Sequence, residues 1–388
     1  MKHKPHILPI IILAQFACTS PWFAGNAIVA ELVLKTGLGT ELVGYVISSV
    51  QFGFITGTLT FALLMLADRF SPSKVFLVCA LLAASCNLYL LSETMTTSTL
   101  LLARFGTGFF LAGIYPVGMK IAADYYEKGL GKALGLLVGA LVLGTALPFI
   151  LNGTALSNSP TLVIAITSSL TVLGGILLFL LIPDGPVRKK STQLRFSGGF
   201  QLFRIGNFRR AAFGYFGHMW ELYAFWAFTP FAIESYNRIS GTTISVPLWT
   251  GIIITLGAIS CVLGGLLSQK YGSKKVAFTA LLVSGVCCLI SPFLFQFGTL
   301  LFLGGWCLWG MAVTADSPQF SNLVATAAPP EVKGTGLTLV NCIGFATTIG
   351  SIQLLAALSQ SITPQYTFLV LALGPLFGLW QLSGHKNN

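Results

Sequence analysis

The chain carries very few charged side chains for its length. Its 388 residues include 22 Lys and Arg and 11 Asp and Glu, so charged residues make up only 9% of the sequence, whereas apolar residues make up 54%. An ordinary soluble protein has about a quarter of its residues charged, because its surface must stay hydrated. This shortage of charge excludes soluble enzymes and nucleic-acid-binding proteins and predicts an integral membrane protein.

The sequence also lacks the short motifs of metal, disulfide and hydrolase chemistry. Its eight cysteines fall inside apolar runs and none forms a C-x-x-C pair, so we expect small buried side chains, with neither a disulfide framework nor a metal site. No H-E-x-x-H, no G-x-S-x-G and no phosphate-binding glycine loop occurs. We therefore expect no enzyme activity, no cofactor and no nucleic-acid partner.

Apolar runs of about 20 residues recur along the chain, each long enough to cross a bilayer as a helix. The first run begins at Ile7 and, at about 24 residues, exceeds the apolar core of a signal peptide, so we interpret it as a membrane span. The expected fold class is an all-α membrane protein with twelve transmembrane helices. The predicted spans, numbered 1 to 12, are residues 7–30, 42–66, 74–92, 99–123, 130–153, 160–182, 211–234, 248–268, 275–296, 299–325, 336–359 and 364–383.

The cations set the predicted orientation of these spans. All but four of the 22 Lys and Arg lie in gaps that face the cytoplasm when the N-terminus is inside. The four exceptions are Lys35 and Arg238 in outer loops and Arg104 and Lys120 within spans. This positive-inside bias predicts a multi-pass protein of the cell inner (plasma) membrane with both termini cytoplasmic.

The two halves of the chain repeat each other, with matching landmarks roughly 200 residues apart, and parallel six-helix repeats are typical of secondary transporters. The matched pairs are Ala67–Lys74 with Ser268–Lys275, Gly108 with Gly310, Pro116 with Pro318 and Gly131 with Gly334. The repeat predicts three parts: an N-terminal six-helix bundle over 1–182, a cytoplasmic linker over 183–210 and a C-terminal six-helix bundle over 211–388.

The segment Leu64–Lys74 resembles the loop signature of the major facilitator superfamily, G-x-x-x-D-R-x-G-R-K. It keeps Asp68, Arg69 and Lys74, while Leu64 and Ser71 stand at the glycine positions. The resemblance implies a secondary transporter that works by alternating access, with a central cavity lined mainly by spans 1, 4, 7 and 10.

Two further elements bear on this resemblance. Arg104-Phe-Gly-Thr-Gly108 in span 4 is similar to an R-x-x-x-G element of many proton-linked members. The second copy of the loop signature, Gly265–Lys275, has Gln269 in place of the acid. In relatives this loop helps to hold the cytoplasmic side closed, which assigns Asp68, Arg69 and Gln269 to gating. Because Gln269 is neutral, we predict an asymmetric lock dominated by Asp68, whose carboxylate caps a helix N-terminus of the other half.

Five ionisable side chains lie within predicted spans, where such groups are costly unless they face a partner or a cavity. Glu221 lies about 15 Å from the cytoplasmic end of span 7, close to the midplane, and His218, one turn earlier, shares its face. We predict that Glu221 binds and releases the coupled proton, assisted by His218 or Asp316. The alternative is a static polar pair that locks helix packing.

The two remaining intramembrane charges are cations with several open roles. Lys120 lies four residues before Asp124, so it extends to the inner surface or pairs with that acid. Arg104 binds an anionic group of the substrate, competes with a proton for a carboxylate, or stabilises the outer end of span 4.

Polar and aromatic side chains on these spans are candidates for substrate contact, because pockets for small molecules combine aromatic walls with a few polar groups. The candidates are Gln15, Thr19, Arg104, Tyr115, Trp220, Tyr223 and Asn341. We assign Trp306 and Trp309 instead to an interfacial aromatic belt.

The expected function is transport of a small organic solute, coupled to protons and carried out by a functional monomer in the lipid bilayer. Three alternatives stay open. One is facilitated uniport of a cationic or neutral solute at Glu221 and Asp316, another is a proton-driven drug exporter, and the last is a membrane receptor on the same fold. Span 5 lacks the glycine–proline element of drug antiporters, which disfavours the exporter. Symport and antiport need the same titratable group, so the sequence does not separate them.

Overall fold

The protein is described by a computed structural model that covers residues 6–37, 42–126, 130–154, 159–185, 199–329 and 332–384. Residues 186–198, which form the middle of the predicted linker, lie outside these ranges. Throughout the described ranges the secondary structure is helical and contains no strand.

Twelve long helices, named α1 to α12, follow one another through the described chain. Their bounds are α1 Ile7–Ala27, α2 Leu42–Leu63, α3 Pro72–Leu91, α4 Thr97–Tyr125, α5 Leu130–Gly153, α6 Pro160–Leu181, α7 Gly206–Ser240, α8 Val246–Tyr271, α9 Ser273–Leu294, α10 Thr299–Ala327, α11 Lys333–Ser361 and α12 Pro364–Ser383. Eleven of them are long and apolar enough to cross a membrane, by length and composition. The twelfth is α7, 35 residues long, whose polar and aromatic side chains lower its hydropathy. The predicted all-α fold is confirmed.

The chain divides into two compact units. The first unit comprises Met1–Gln193 with Ser245–Thr255, and the second comprises Leu194–Ile244 with Leu256–Asn388. The domain boundaries predicted at 182 and 210 remain a prediction.

Three helices are interrupted next to a proline, and α12 also contains a 3-10 segment, over Phe368–Ala372. α1 passes into a 3-10 turn over Ser20–Phe23, which contains Pro21; α4 is broken before Pro116 and α10 at Asp316, just before Pro318. Proline has no N–H and cannot donate the bond that would continue the helix. The breaks in α4 and α10 occupy matching places in the repeat.

Close packing of α2 and α4 positions the first unit's buried cation. Gly108 of α4 lies against α2, where a Cβ atom would overlap the carbonyl oxygen of Val50. Glycine therefore permits an approach of the two helices that any side chain would block. Arg104, one turn earlier on α4, lies on the same side of the helix. The spacing of Arg104 and Gly108 therefore places the buried cation next to the point where the two helices come closest.

The loop after α2 turns without the glycine of the family signature. Leu64 stands at the first glycine position, and the next residue, Met65, adopts a left-handed backbone with φ of 50°. This conformation costs a non-glycine residue about 1–2 kcal/mol. It redirects the chain from α2 into the short helix Leu66–Arg69, which presents Asp68.

Candidate functional site

The second unit contains a fully buried histidine–aspartate pair at the break of α10. His218 Nδ1 lies 2.8 Å from Asp316 Oδ1, and the two side chains are 1% and 0% exposed. The other ring nitrogen, Nε2, lies 2.8 Å from Ser317 Oγ. His218 thus bridges two consecutive residues at the interruption, where Asp316 occupies the cap position of the following helical segment.

This arrangement suits the pair to proton exchange. A neutral imidazole has one donor and one acceptor nitrogen, and a protonated imidazole has two donors. The Ser317 hydroxyl donates to the neutral ring and accepts from the protonated one, so it serves both states without moving its oxygen. Gaining or losing a proton therefore changes hydrogen positions, while the three heavy-atom positions can stay fixed.

Glu221 lies one turn further along α7 and accepts hydrogen bonds from three neutral donors. Trp309 Nε1 donates to Oε1 at 2.5 Å, Cys288 Sγ donates to the same oxygen at 3.3 Å, and Ser284 Oγ donates to Oε2 at 3.0 Å. The carboxyl group is completely buried. The donors come from α9 and α10, so Glu221 ties α7 to both helices.

His218 contacts Asp316 and not Glu221, so the structure does not show the predicted static pair of His218 with Glu221, and the role of either residue in proton coupling stays a prediction. Both side chains reach α10, as their common face predicts. However, the two nitrogens of His218 contact Asp316 and Ser317. The oxygens of Glu221 accept hydrogen bonds from Trp309, Cys288 and Ser284. His218 and Glu221 lie one helical turn apart on α7, so together with Asp316 they form one buried electrostatic group.

The assignment of Trp306 and Trp309 to an interfacial belt is wrong. Both side chains are fully buried. Trp306 stacks on Phe302 with ring centroids 4.6 Å apart, and Trp309 packs on Phe225 at 4.7 Å while its N–H donates to Glu221. A buried indole N–H needs an acceptor, and here the acceptor lies on α7, 88 residues away in sequence.

The cysteines are all free thiols, but they are not uniformly inert apolar residues. Six are buried, whereas Cys86 and Cys307 are half-buried. Cys288 donates to Glu221, and Cys18 and Cys261 donate to backbone carbonyls of neighbouring helices. The expectation of eight small buried side chains is therefore corrected for two of them.

In the first unit, Arg104 is fully buried against the interrupted part of α1. Its Nη1 donates to the carbonyl of Pro21 at 3.1 Å and its Nη2 to the carbonyl of Trp22. Gly25 leaves room for the side chain, since a Cβ there would come within 3.0 Å of Nε. Among the residues that the structure describes, no acid lies within ion-pair distance of Arg104. Of its three expected roles, these contacts favour stabilisation, by joining α4 to α1.

Three buried amides in the first unit have no hydrogen-bond partner within the described part of the chain: Gln15, Asn26 and Gln51. Gln15 faces Gly118 of α4, and an unsatisfied buried amide is available to a ligand or to water. Thr19 differs, because its hydroxyl already donates to the carbonyl of Gln15 at 2.8 Å. Gln51 is not among the residues predicted from the sequence, although it is a lone amide within the apolar helix α2.

The remaining substrate candidates have varied surroundings. Tyr115 and Asn341 are half-buried. Tyr223 is buried, with its ring 5.3 Å from those of Trp226 and Phe345. Trp220 donates to the carbonyl of Val370 at 3.1 Å and lines a cavity of about 390 Å³ formed by α7, α11 and α12.

The gating candidates meet an unexpected partner. Lys120 Nζ lies 2.8 Å from Asp68 Oδ1, with the side chains 24% and 19% exposed. Lys120 therefore pairs with the loop that follows α2. The alternative prediction, that it pairs with Asp124, is wrong. The second half of α4 turns Lys120 toward this loop. Arg69 and Gln269 are exposed. Capping of a helix in the other half by Asp68 stays a prediction.

Comparison with known proteins gives one family and one fold. Residues 11–351 match the model of the Major Facilitator Superfamily. No sequence among curated proteins matches the chain.

Several solved structures are similar over almost their whole length. The human organic anion transporter MFSD10 (TETRAN) has a TM-score of 0.72 at 14% identity, covering 99% of this chain and 100% of that one. The nucleoside transporter NupG, solved as a point mutant, has a TM-score of 0.73 at 16% identity, covering 97% and 98%. A bacterial homologue of the human lysosomal transporter Spinster, inward-facing and unoccupied, has a TM-score of 0.69 at 16% identity, covering 98% and 93%. At such identities the likeness shows the fold alone.

The family match extends over nearly all of the chain, and it accounts for the twelve helices, the repeat and the loop signature. The chain belongs to the Major Facilitator Superfamily and is a membrane transporter of a solute, not an enzyme.

Proposed function

We propose that this transporter moves a small organic solute across the cell inner membrane by alternating access and couples that movement to protons at His218 and Asp316. One observation carries the proposal: a fully buried imidazole bridges a carboxylate and a hydroxyl at the break of α10. Glu221 is the second carboxylate of the same electrostatic group.

Charge balance supports this assignment. The group contains one base, His218, and two acids, Asp316 and Glu221. With the imidazole protonated and both acids ionised, the group has a net negative charge, which is unfavourable in a buried site. One further proton makes the group neutral. A buried cluster that is neutral only when it holds an extra proton is suited to carry that proton between the two sides of a membrane.

The broken helix supplies the link to conformational change. Asp316 lies at the interruption, so a rotation of the segment Ser317–Ala327 relative to Thr299–Ala315 alters the 2.8 Å contact with His218. Weakening that contact separates the imidazole from the carboxylate with which it exchanges a proton. Proton release and helix movement are then linked in both directions.

Reconstituted protein tests the coupling. Liposomes containing a pH-sensitive dye are exposed to a pooled metabolite library, and proton movement is recorded for wild type, Asp316→Asn and Glu234→Gln. Glu234 is the matched control, because it is an exposed acid on α7. We expect Asp316→Asn to abolish solute-triggered proton movement and Glu234→Gln to retain it.

Two outcomes contradict the proposal. Proton movement that persists in Asp316→Asn removes this pair from coupling. Solute accumulation by wild type that is unchanged when the pH gradient is collapsed indicates facilitated uniport, with the acids binding a cationic solute.

We also propose that the contact of Asp68 with Lys120 belongs to the cytoplasmic gate, together with Arg69. An ion pair this exposed contributes only about 0–1 kcal/mol to the free energy of unfolding. We therefore expect Asp68→Asn and Lys120→Gln to change the transport rate while changing the free energy of unfolding by less than about 1 kcal/mol.

If the two residues act as one unit, the double variant transports no more slowly than either single variant. Gln269→Ala, in the neutral second copy, tests the predicted asymmetry and should change the transport rate less than Asp68→Asn does. Additive losses in the double variant would show that Asp68 acts through another partner.

A further inference from the structure

A cavity of about 390 Å³ lies in the second unit between α7, α11 and α12. Leu373 and Phe377 stand at its rim, where they are 57% and 40% exposed, so the cavity opens to the surface of the unit. The described residues that line it are Phe216, Gly217, Trp220, Thr347, Leu373, Gly374 and Phe377. None of these seven residues is charged, so charge does not select what binds here.

The cavity lies at the depth of the bilayer midplane on each of its three helices. Thr347 is 14 residues from either end of α11, and Gly374 is ten residues from the start of α12 and nine from its end. Trp220 directly precedes Glu221, which is about 15 Å from the cytoplasmic end of span 7. The hydrocarbon core is about 30 Å thick, so the opening lies among lipid chains.

The space exists because a large side chain replaces a small one in the repeat. In the first unit, a Cβ atom on Gly174 of α6 would meet the Cβ of Ala17 of α1 at 2.9 Å. In the second unit, a Cβ atom on Gly374 of α12 would meet the Cβ of Trp220 of α7 at 3.0 Å. The paired positions are 200 and 203 residues apart, so Trp220 stands where the first unit has Ala17. An indole does not fit into the place of a methyl group between two helices, and the cavity lies beside its ring.

Both polar side chains in the lining already have partners. Trp220 Nε1 donates to the carbonyl of Val370 at 3.1 Å, and Thr347 Oγ1 donates to the carbonyl of Ile343 at 2.9 Å. A ligand therefore meets ring faces and aliphatic groups. A polar ligand would leave its own groups without partners, which is costly in a buried site, so the cavity selects an apolar one.

The volume favours an unbranched chain. A helix is about 10–12 Å across and rises 5.4 Å per turn, so a single turn takes up roughly 400–600 Å³ and a helix of another protein does not enter. A methylene group is close in size to a water molecule, at about 30 Å³, so the space matches on the order of a dozen chain carbons. An unfilled cavity would forfeit the dispersion contacts of its lining atoms, and a lipid chain restores them.

We infer that this cavity binds an acyl chain of a membrane phospholipid. Phe216, Trp220 and Phe377 supply ring faces against which the chain packs. Lipid chains are as apolar as leucine side chains, so the preference of the chain for the cavity over the surrounding bilayer comes from these close contacts.

The bound chain also contacts the helix that carries the buried group. Trp220 directly precedes Glu221 on α7, whereas the cavity shares no residue with the His218–Asp316 pair. The inference therefore does not depend on proton coupling. Loss of coupling in Asp316→Asn and loss of chain binding are separate results.

Photolabelling of the full-length protein in phosphatidylcholine vesicles tests the site. Part of the lipid carries a diazirine in the middle of one acyl chain, and labelled residues are mapped by mass spectrometry after irradiation. Gly217 is buried, so a chain labels it only from inside the cavity. Leu376 is 53% exposed and is labelled by any surrounding lipid, which makes it the internal reference.

Two variants fill the space, Leu373→Trp from α12 and Thr347→Phe from α11. Leu376→Trp and Ala346→Phe are their matched controls, because they enlarge exposed neighbours that do not line the cavity. We expect labelling of Gly217 in wild type and in both controls, and its loss in both filling variants. Agreement between two filling variants on different helices separates exclusion of the chain from a folding defect in one of them.

Two results would overturn the inference. Gly217 without label in wild type, beside a labelled Leu376, would show that the chain stays outside; a dimer mass in native mass spectrometry would then identify a second copy as the cover. Equal labelling of Gly217 in the filling variants and in their controls would show that lipid reaches it by a route other than the cavity.

Discussion

Arg104→Ala is expected to lower the free energy of unfolding by about 4 kcal/mol, from three contributions of known size. The carbonyls of Pro21 and Trp22 lose a buried donor, at about 1–3 kcal/mol each. The vacated volume adds about 2–5 kcal/mol. Removal of an intramembrane cation offsets about 3 kcal/mol of this loss, because the cost of burying its charge disappears. Loss of packing and hydrogen bonds therefore outweighs the relief of the buried charge.

Arg104→Lys separates these contributions. Lysine keeps the charge and most of the volume, but its ammonium has no fork to reach both carbonyls. We expect a loss of about 2 kcal/mol, the value of one buried hydrogen bond to a charged group. Titration of the purified protein with SDS in mixed micelles measures the free energy of unfolding. Leu102→Ala is the control on the same helix, because Leu102 is 68% exposed and should change stability little.

A different order of effects would reject this account of Arg104. If Arg104→Ala were as stable as wild type, the side chain would not be holding α4 against α1, and the substrate-binding role would gain support. If Arg104→Lys were as damaging as Arg104→Ala, charge and volume would contribute nothing. The backbone carbonyls would then account for the whole effect.

The helices can be predicted from sequence because the bilayer imposes a length. Apolar runs of about 20 residues mark the hydrocarbon-crossing parts, and the predicted bounds of span 12 are the observed ones. The ends of α7 differ: residues 211–234 are predicted and Gly206–Ser240 is observed. Hydropathy reports where hydrocarbon ends, whereas the helix continues past it through Arg209 and Arg210 at one end and Asn237 at the other.

The partners of the site residues cannot be predicted in the same way. Helical spacing places His218 and Glu221 on one face, but it does not say which side chains approach that face from α9 and α10. Asp316 is recognisable as an intramembrane acid, yet its contact with His218 spans almost a hundred residues of sequence. Arg104 is held by backbone carbonyls, which every residue possesses, so only the nearby Pro21 marks the place where such groups become available.

Glu221→Ala is expected to lower the free energy of unfolding by about 3 kcal/mol or more, from a buried donor left unsatisfied at about 1–3 kcal/mol and from the vacated volume at about 2–5 kcal/mol. The change leaves Trp309 Nε1 without an acceptor and opens a cavity between α7, α9 and α10. Ser284 and Cys288 lose the same acceptor, although each can turn its hydrogen toward a backbone carbonyl. The indole N–H cannot turn in this way, so it carries much of the penalty.

Glu221→Gln is expected to be far milder, with a loss of about 1 kcal/mol. The amide oxygen can occupy the Oε1 position and keep the bonds from Trp309 and Cys288. The amide nitrogen then occupies the Oε2 position, where the rotating hydroxyl of Ser284 accepts in place of donating. SDS titration of both variants and of Trp309→Phe, which removes the indole donor from the other side, measures the network. Equal losses for Glu221→Ala and Glu221→Gln would contradict the hydrogen-bond assignment.

The same isosteric variant decides how Glu221 takes part in coupling. If Glu221 only fastens α7 to α9 and α10, Glu221→Gln retains solute-triggered proton movement while Asp316→Asn loses it. If Glu221 carries the extra proton that makes the buried group neutral, Glu221→Gln is fixed in the equivalent of the protonated state and proton movement stops, although the protein remains folded. Because the glutamine preserves the hydrogen bonds, a loss of coupling in this variant reports the missing proton and not a disturbed structure.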